Sequence, residues 1–337
     1  MDTRFLGRSG IEVSALGMGC WAIGGPFWAG AQPLGWGEVD DDESIRAVRR
    51  AVELGVTFFD TANVYGAGHS EKILARALEG RRDEVVIATK FGGTFDEQTR
   101  QTGPDDGTPA NVERSVRESL RRLGTDYIDL YQLHINSLPI PEALDLVPVL
   151  EGLIDQGLIR AYGWSTDFPE RADAFATEGR RCATIQADLS VLRGSFEVLP
   201  VAAKHDLAVI IRGPLAMGLL GGRYSATSEL PRDDVRGLSP EWMTYFRDGR
   251  PTPEFLTRID AVRDILTSNG RTLAQGALAW LWAFDARTIP IPGCRTVAQV
   301  EENAGALRHG PLTEPELAEI ERLMGRAQSD ARADARP

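Results

Sequence analysis

The chain has 337 residues, and its 37 lysines and arginines against 49 aspartates and glutamates give a formal net charge of −12. This acidic balance argues against general nucleic-acid or anionic-membrane binding, because proteins with those functions present a basic face. The N-terminus has no apolar signal region, no stretch approaches 18 apolar residues, and the three cysteines are widely spaced without a CxxC pair, so we expect a cytoplasmic protein without disulfides, a metal site or a membrane span.

Short β-branched runs alternate with amphipathic helical patterns along the whole chain. Most of the runs are continuously apolar, which is typical of strands that are buried on both faces. The predicted strands are VSALGMG (13–19), TFFDT (57–61), EVVIATK (84–90), YIDLYQLH (127–134), IRAYGWS (159–165), ATIQA (183–187), LAVIIRG (207–213) and TIPIPG (288–293).

Several of the helical patterns between these runs carry end signals. Asp42 is placed to cap a helix that ends near Gly55, and Gly124 stands where a left-handed glycine would end another helix. Near the C-terminus, Thr313 and Glu316 form a predicted capping box. These signals support helices between the strands.

Eight strands that alternate with helices allow either a closed (β/α)8 barrel or an open doubly wound sheet. No charged linker or low-complexity tract divides the chain, so we expect one domain over 1–337 with a frayed polar tail at about 328–337. Two long connections, roughly 91–110 and 221–254, follow predicted strands. In a barrel they would lie on the face where active sites form.

Reactive side chains stand at the carboxyl ends of successive predicted strands. Asp60 ends the second strand and Tyr65 follows it, Lys90 ends the third strand, and His134 ends the fourth. Turn chemistry could explain Asp60 alone, and core packing could explain His134 alone. Lys90 is harder to dismiss, because it is one of only three lysines and lies in an apolar run. In a parallel barrel all four would meet at one mouth, which favours the barrel.

These four residue types suit the reduction of a carbonyl group. Hydride addition to the carbon leaves negative charge on the oxygen, and that charge must be stabilised and protonated. A phenol is a weak acid near neutral pH, and a neighbouring ammonium lowers its pKa toward the working pH. We therefore predict that Tyr65 donates the proton, Lys90 tunes it, Asp60 anchors Lys90, and His134 orients the substrate oxygen.

Six segments of the sequence resemble the aldo-keto reductases, in the order in which that family shows them. They are FFDTANVYGAGHSE, ATKFGG, DYIDLYQLH, GWST, GPLAMGLLGG and IPIPGCRTVAQVEEN. The resemblance spans about residues 4–325 and is to the bacterial type related to channel β-subunits and general aldehyde reductases. It implies a single (β/α)8 TIM barrel of the α/β class, with an N-terminal β-hairpin in RFLGRSGIEVSALGMG that closes the barrel floor. It also implies a catalytic tetrad of Asp60, Tyr65, Lys90 and His134.

The expected cofactor is NADP(H), although the sequence has no Rossmann fingerprint. Residues 17–22 match GxGxxA, but the glycine-rich segment after them cannot form the helix that this fingerprint requires. A helix N-terminus beside an arginine suits a phosphate, and Gly293 and Arg295 precede a helix that begins near Val297. The resemblance implies that Arg295 binds the 2′-phosphate. It also implies that the adenine and its ribose are surrounded by Gln299, Glu302 and Asn303.

The nicotinamide end is expected at the ends of the fifth, sixth and seventh strands. By the resemblance, Ser165, Thr166 and Gln186 hold the carboxamide, although the family usually has Asn where this chain has Thr166. Arg212 stands where an aromatic residue commonly lies under the nicotinamide ring, and a guanidinium plane can also stack on a ring. The segment that follows is expected to bind the cofactor through Gly213, Pro214, Leu215 and Gly218.

Substrate contacts are expected from Trp21, Trp28 and Phe91, with buried packing as the competing explanation. One alternative function is a nicotinamide-binding regulatory subunit with little turnover, and another is a reductase narrow for a nucleotide-linked keto-sugar. A hydrolase with paired carboxylates is disfavoured, because Asp60 is the only plausible acid among these strand-end residues. The substrate is expected to be a small carbonyl compound, and its identity, the reaction direction and the oligomeric state stay open.

Overall fold

The computed structural model describes residues 2–238 and 240–326, in which short strands alternate with helices. In chain order the strands are β1 (Thr3–Phe5), β2 (Glu12–Ser14), β3 (Gly17–Gly19), β4 (Trp28–Ala29), β5 (Gln32–Pro33), β6 (Phe58–Asp60), β7 (Val86–Phe91), β8 (Ile128–Leu133), β9 (Ile159–Ser165), β10 (Cys182–Asp188), β11 (Ala208–Arg212), β12 (Phe246–Arg247), β13 (Arg250–Pro251) and β14 (Thr288–Pro290).

Helices follow most of the central strands. The α-helices are α1 (Asp41–Glu53), α2 (His69–Ala77), α3 (Pro109–Leu123), α4 (Ile140–Leu144), α5 (Val147–Asp155), α6 (Pro169–Glu178), α7 (Val198–His205), α8 (Pro253–Leu266), α9 (Leu273–Phe284), α10 (Val297–Gly305) and α11 (Glu314–Leu323). Within the described part of the chain, no helix has the length and apolar character needed to cross a membrane.

Eight strands form one parallel sheet in the order β3-β6-β7-β8-β9-β10-β11-β14. The two edges of this sheet meet where Gly19 of β3 pairs with Gly293, and the Gly19 N–H donates to the Pro292 carbonyl at 3.1 Å. A Cβ on Gly19 would lie 2.6 Å from the carbonyl oxygen of Ile291, so the close approach requires glycine. The sheet therefore closes into the (β/α)8 barrel, and the open doubly wound alternative is wrong.

The hairpin of β1 and β2 covers the amino-terminal end of the barrel. Its residues Leu6, Ile11 and Val13 pack in a buried cluster of their own with side chains from the barrel strands. Those partners are Phe58, Val86, Ala88, Leu130, Ala161, Ala183, Ala208, Ile210, Ile289 and Ile291. The predicted hairpin floor is confirmed, so the carboxyl ends of the strands form the other mouth of the barrel.

The predicted strands correspond to observed strands, with small shifts in their bounds. The run 159–165 is reproduced as β9, whereas the run 13–19 is divided between β2 and β3. The division occurs because the first part of that run belongs to the floor hairpin and the second part to the barrel. The tail predicted at about 328–337 lies outside the described residues, and the single-domain organisation stays a prediction.

Two of the three predicted helix-end signals are confirmed. Gly124 ends α3 in the left-handed conformation at φ +62°, and the capping box of Thr313 and Glu316 begins α11. The cap of α1 is Asp40 rather than Asp42, because α1 begins earlier in the acidic run than predicted. The Asp40 carboxylate accepts the N–H of Glu43 at 3.0 Å.

A buried ionic cluster joins α2 and α3 to the outer face of β7. The Arg122 guanidinium donates to Glu71 at 2.6 Å, and neither side chain is more than 1% exposed. The other Glu71 oxygen accepts the hydroxyl of Thr89 at 2.6 Å. Because successive side chains of a strand point to opposite faces, this contact fixes the outer side of the strand whose next residue is Lys90.

Arg122→Met should lower the free energy of unfolding by about 3–5 kcal/mol, because it leaves the Glu71 carboxylate buried without its cation. Denaturant unfolding followed by circular dichroism measures this change. Arg322→Met, which removes the partner of Glu319 on the solvent side of α11, is the control and should have a much smaller effect. Equal losses in the two variants would show that the buried pair has no special importance.

Candidate active site

Asp60, Lys90 and Tyr65 come together at the carboxyl end of the barrel. Asp60 and Lys90 are buried at the ends of adjacent strands, and the Lys90 ammonium donates to one Asp60 oxygen. The same Nζ donates to the Thr61 carbonyl at 2.8 Å and to the Tyr65 hydroxyl at 3.4 Å. The three donors of the ammonium thus have three oxygen acceptors, one of which is the phenol.

The electrostatics of Tyr65 differ in part from the sequence-based expectation. Burial has the largest effect and raises the pKa of Tyr65 above its ordinary value, while the Lys90 ammonium opposes this rise and the Asp60 carboxylate adds to it. Tyr65 therefore keeps its proton at neutral pH. Lys90 limits the cost of losing that proton, rather than bringing the phenol down to the working pH.

Lys90 carries a positive charge despite its burial. Loss of solvent by itself lowers the pKa of Lys90, but the oxygens of Asp60 and Tyr65 outweigh that loss and hold the pKa above its ordinary value. A charged ammonium is thus held against a neutral phenol.

His134 follows β8, and its ring stands edge-on to Tyr65 with the centroids 5.9 Å apart. Burial, followed by the positive charges of Lys90 and Arg212, lowers the pKa of His134 well below its ordinary value. The imidazole is therefore neutral at neutral pH. One of its ring nitrogens carries a hydrogen that can be donated to a substrate oxygen.

Gln132 also belongs to this cluster, and the sequence analysis missed it. It is completely buried on β8 and donates to the second Asp60 oxygen at 3.1 Å. The signal was present in the sequence, because Gln132 is a polar residue in an apolar run at two residues' distance from His134. Residues with that spacing point to the same face of a strand.

Ser165 and Gln186 lie side by side on the paired strands β9 and β10. The Gln186 amide donates to Asp60 at 2.7 Å, so the structure brings it into contact with the tetrad. The Thr166 hydroxyl is used elsewhere, because it donates to the Asn136 carbonyl at 2.9 Å and accepts the Phe168 N–H at 3.3 Å. The carboxamide contact that the resemblance implied for Thr166 stays a prediction.

Arg212 is held at the end of β11 by Asp167, a residue that the sequence analysis did not single out. The Asp167 carboxylate also accepts the Ser195 hydroxyl and the Asp188 N–H, each at 2.9 Å. Asp167 thereby joins the loops after three strands. The guanidinium, which is about one-third exposed, is fixed at the mouth.

The chain turns sharply in the predicted cofactor segment after β11. Gly213 and Gly218 have φ angles of +64° and +94°, with Pro214 and Leu215 between them. Ala216 and Met217 also have positive φ angles, of +51° and +54°. Such strained backbone persists only where the surrounding structure requires it.

Arg236 holds this turn in place from the 221–254 loop. It is buried, forms a two-pronged ion pair with Asp234, and donates to the Met217 carbonyl at 3.0 Å and to the Tyr224 hydroxyl at 2.9 Å. Its guanidinium also lies over the Trp36 ring, 4.4 Å from the centroid. The 221–254 loop therefore contacts both the turn after β11 and the segment between β5 and α1.

The predicted adenosine end lies at the start of α10. The Arg295 guanidinium donates to the carbonyls of Trp36, at 3.0 Å, and of Glu38. Two of its five N–H donors are thus used. The Val297 N–H already donates to the Glu43 carboxylate at 2.9 Å, so a protein anion occupies this helix N-terminus.

The other residues predicted for the adenosine end surround the same helix start. The Gln299 side-chain oxygen accepts the backbone N–H of Arg295 at 2.8 Å. The Asn303 amide donates to the buried Cys294 sulfur at 3.2 Å. Glu302, the next residue predicted at this end, is partly exposed. Gly293 is exposed, and a Cβ there would have no atom nearer than 3.7 Å.

Aromatic rings line the mouth beside Tyr65. The Trp21 ring is nearly parallel to the Tyr65 ring at 5.9 Å, and it contacts Trp36 at 5.4 Å and Trp242 at 6.3 Å between centroids. Trp242 is 51% exposed. Of these three tryptophans only Trp21 was predicted from the sequence, because the positions of the other two depend on how their loops fold.

Phe91 and Trp28 take other positions. Phe91 is fully buried with its ring centroid 4.6 Å from that of Tyr131, on the face of β7 opposite to Lys90. The structure therefore does not place Phe91 in the substrate pocket. The Trp28 backbone pairs with residues 100–102 of the 91–110 loop, and its substrate contact stays a prediction.

Comparison with known proteins gives a consistent family. A sequence model described as the aldo/keto reductase family matches residues 15–324. The aldo-keto reductase YhdN of Bacillus subtilis is 32% identical over 89% of this chain and 87% of its own. The structure of the glycerol dehydrogenase AKR11B4 from Gluconobacter oxydans superposes with a TM-score of 0.80 at 31% identity, over 100% of this chain and 97% of that one. An aldo/keto reductase from Klebsiella pneumoniae in complex with NADP and acetate gives a TM-score of 0.71 at 25% identity, over 98% of both chains.

The His134 imidazole should stay neutral at pH values that protonate an ordinary histidine. The unfolded chain binds this proton near pH 6.5 and the folded chain does not, so His134 contributes a loss of stability as the pH falls below that value. Titration of the ¹⁵N-labelled imidazoles by NMR, assigned with His134→Gln, measures the effect. Protonation of His134 near pH 6.5 in the folded chain would contradict the expected environment.

Proposed function

The chain belongs to the aldo/keto reductase family of oxidoreductases, and on this premise we propose that it reduces an aldehyde or ketone to an alcohol with NADPH and with Tyr65 as the proton donor. The observation that carries the proposal is the contact of the Tyr65 hydroxyl with the buried pair of Lys90 and Asp60. A phenol beside a buried ammonium can donate its proton, because the same ammonium stabilises the phenolate that remains.

The residues at the mouth fit NADP(H), which a related protein from Klebsiella pneumoniae binds. Within residues 2–238 and 240–326, the Ser165 hydroxyl has no hydrogen-bond partner, and the Gln186 amide lies on the neighbouring strand. These two groups would hold the carboxamide, with Arg212 beside the ring. Among the described residues, Arg295 uses two of its five guanidinium N–H donors on carbonyls, and the other three would suit a phosphate. When bound, NADPH supplies the hydride.

Tyr65 and His134 act on the oxygen of the substrate. The His134 N–H and the Tyr65 O–H donate to this oxygen as it gains negative charge, and the proton of Tyr65 then moves to it. The hydride on carbon and the proton on oxygen complete the alcohol. The phenolate that remains lies beside the Lys90 ammonium, which Asp60 holds in place, until Tyr65 takes a proton from solvent.

The aromatic mouth supports a flat, apolar carbonyl compound as the substrate. The Trp21 ring lies nearly parallel to the Tyr65 ring, and the half-exposed Trp242 lies beside Trp21. Burial of these faces against an aromatic substrate is favourable. A nucleotide-linked sugar would need a free cation for its phosphates, whereas Arg212 at this mouth is already paired with Asp167.

The wild-type chain should consume NADPH in the presence of an aromatic aldehyde, as measured by the loss of nicotinamide absorbance. Tyr65→Phe keeps the ring and removes the proton donor, so kcat/KM should fall by a factor of about 10²–10⁴. The Kd for NADPH, measured by fluorescence, should change little. Tight NADPH binding without turnover by the wild type would favour the regulatory-subunit alternative, and unchanged turnover by Tyr65→Phe would exclude this role for Tyr65.

Trp242→Ala should lower kcat/KM for naphthaldehyde by about fivefold, because the substrate loses an aromatic face worth roughly 1 kcal/mol. The kcat/KM for glyceraldehyde should change little, since that substrate is too small to cover Trp242. Phe5→Ala, at an exposed ring on the floor hairpin, is the control. Equal losses for both aldehydes would mean that Trp242 supports the loop and does not contact substrate.

A further inference from the structure

Gln132 is a buried amide whose contacts lead directly to the proton donor. We propose that Gln132 is a positioning residue, which holds the Asp60 carboxylate in place and thereby keeps the positive charge of Lys90 beside Tyr65. The inference rests on the proposed function, because it concerns the same proton transfer. It assigns a role to a residue outside the tetrad.

The geometry around Asp60 divides its two oxygens between two kinds of partner. One oxygen accepts the Lys90 ammonium. The other accepts the Gln132 amide at 3.1 Å and the Gln186 amide at 2.7 Å. Because an ionised carboxylate can only accept hydrogen bonds, both glutamines must present their N–H groups to it. The Gln132 oxygen is then free to accept the Gln186 N–H, at 3.4 Å.

A carboxylate in this position needs those donors. Asp60 is 2% exposed, and a buried carboxylate oxygen that has lost a hydrogen-bond donor is costly, so the side chain would turn toward other donors. The Lys90 ammonium is bonded to Asp60 and would move with it. Tyr65 would then lose part of the effect of that ammonium, which opposes the effect of burial on the pKa of Tyr65.

Gln132, rather than Gln186, is the constant donor to Asp60. Gln186 lies in register with Ser165, where a bound carboxamide would compete for its N–H. Gln132 is completely enclosed and lies opposite Lys90 in the pairing of β7 with β8. In the described part of the chain, its amide donates to Asp60 alone.

The other ionisable groups near Tyr65 cannot replace this effect. Arg212 faces Tyr65 from β11 but is paired with Asp167. His134 faces it from β8 and is neutral, and Cys20 after β3 is also neutral because burial raises the pKa of its thiol well above the ordinary value. The charge whose position Gln132 can change is therefore that of Lys90.

The test compares Gln132→Met with Leu130→Val. Methionine has a similar volume and no strong donor, while Leu130 lies on the same strand and face, in the floor cluster. The measurement is the pH dependence of kcat/KM for alcohol oxidation with NADP⁺, in which Tyr65 must be ionised to accept the proton. Gln132→Met should shift the rising limb to higher pH by about one unit and lower kcat about tenfold. Leu130→Val should leave the limb unchanged.

Two further measurements separate positioning from folding. The Kd for NADP⁺ should change by less than about threefold in Gln132→Met, since Gln132 is completely enclosed in the barrel. Gln132→Glu, which has the same shape but replaces the donor with a second acid, should be more impaired than Gln132→Met. A lower kcat with an unshifted pH limb in Gln132→Met would overturn the proposal and leave Gln132 a structural residue.

Failure of the proposed function would be distinguishable from failure of this inference. If the wild type oxidises no alcohol and reduces no carbonyl compound, the proposed function fails. The ionisation of Tyr65 can then be followed by ultraviolet difference spectra of the wild type against Tyr65→Phe. In that experiment an upward shift in Gln132→Met would support the positioning role, and an unchanged midpoint would refute it.

Discussion

A lysine and an aspartate that are both removed from solvent can keep their charges only if they remain together and their other polar atoms are satisfied. Lys90 and Asp60 meet both conditions at the ends of adjacent strands. The ammonium uses its remaining donors on the Thr61 carbonyl and the Tyr65 hydroxyl, and the carboxylate uses its remaining oxygen on two amides. The position of the Tyr65 phenol is thus fixed by its hydrogen bond with Lys90 as well as by its own loop.

The rest of the barrel fixes the positions of the strand ends that carry Asp60 and Lys90. Closure at Gly19 and Gly293 brings the first and last strands together, and the hairpin floor fills the opposite end with apolar side chains. On the outside, the Glu71 and Arg122 pair is bonded to Thr89, one residue before Lys90. Strand β7 therefore separates two buried ion pairs. Glu71 and Arg122 pair on its outer face, and Lys90 and Asp60 pair on its inner face.

Much of the fold and the centre of the candidate site could be predicted from the sequence, because strand runs and their end residues are local features. The two errors at the strand ends came from the alternation of side chains between the two faces of a strand. Gln132 shares a face with His134 and was missed, whereas Phe91 was predicted to contact substrate but directly follows Lys90 and faces the other way. Asp167 could not be identified from its spacing, because its partners come from separate loops. Trp36 and Trp242 were missed for the same reason, as only the folded loops bring their rings to Trp21.

Among the described residues, Trp36 contacts three different parts of the mouth, whereas Trp242 contacts only one. Its ring contacts Trp21 and lies under Arg236, while its carbonyl accepts Arg295. A substitution of Trp36 would disturb both the aromatic rings beside Tyr65 and the positions of Arg236 and Arg295. Trp242 is half-exposed and touches the cluster at its edge, so it can vary at little structural cost. Descendants of this sequence should therefore change their substrate range by exchanging residue 242 long before residue 36.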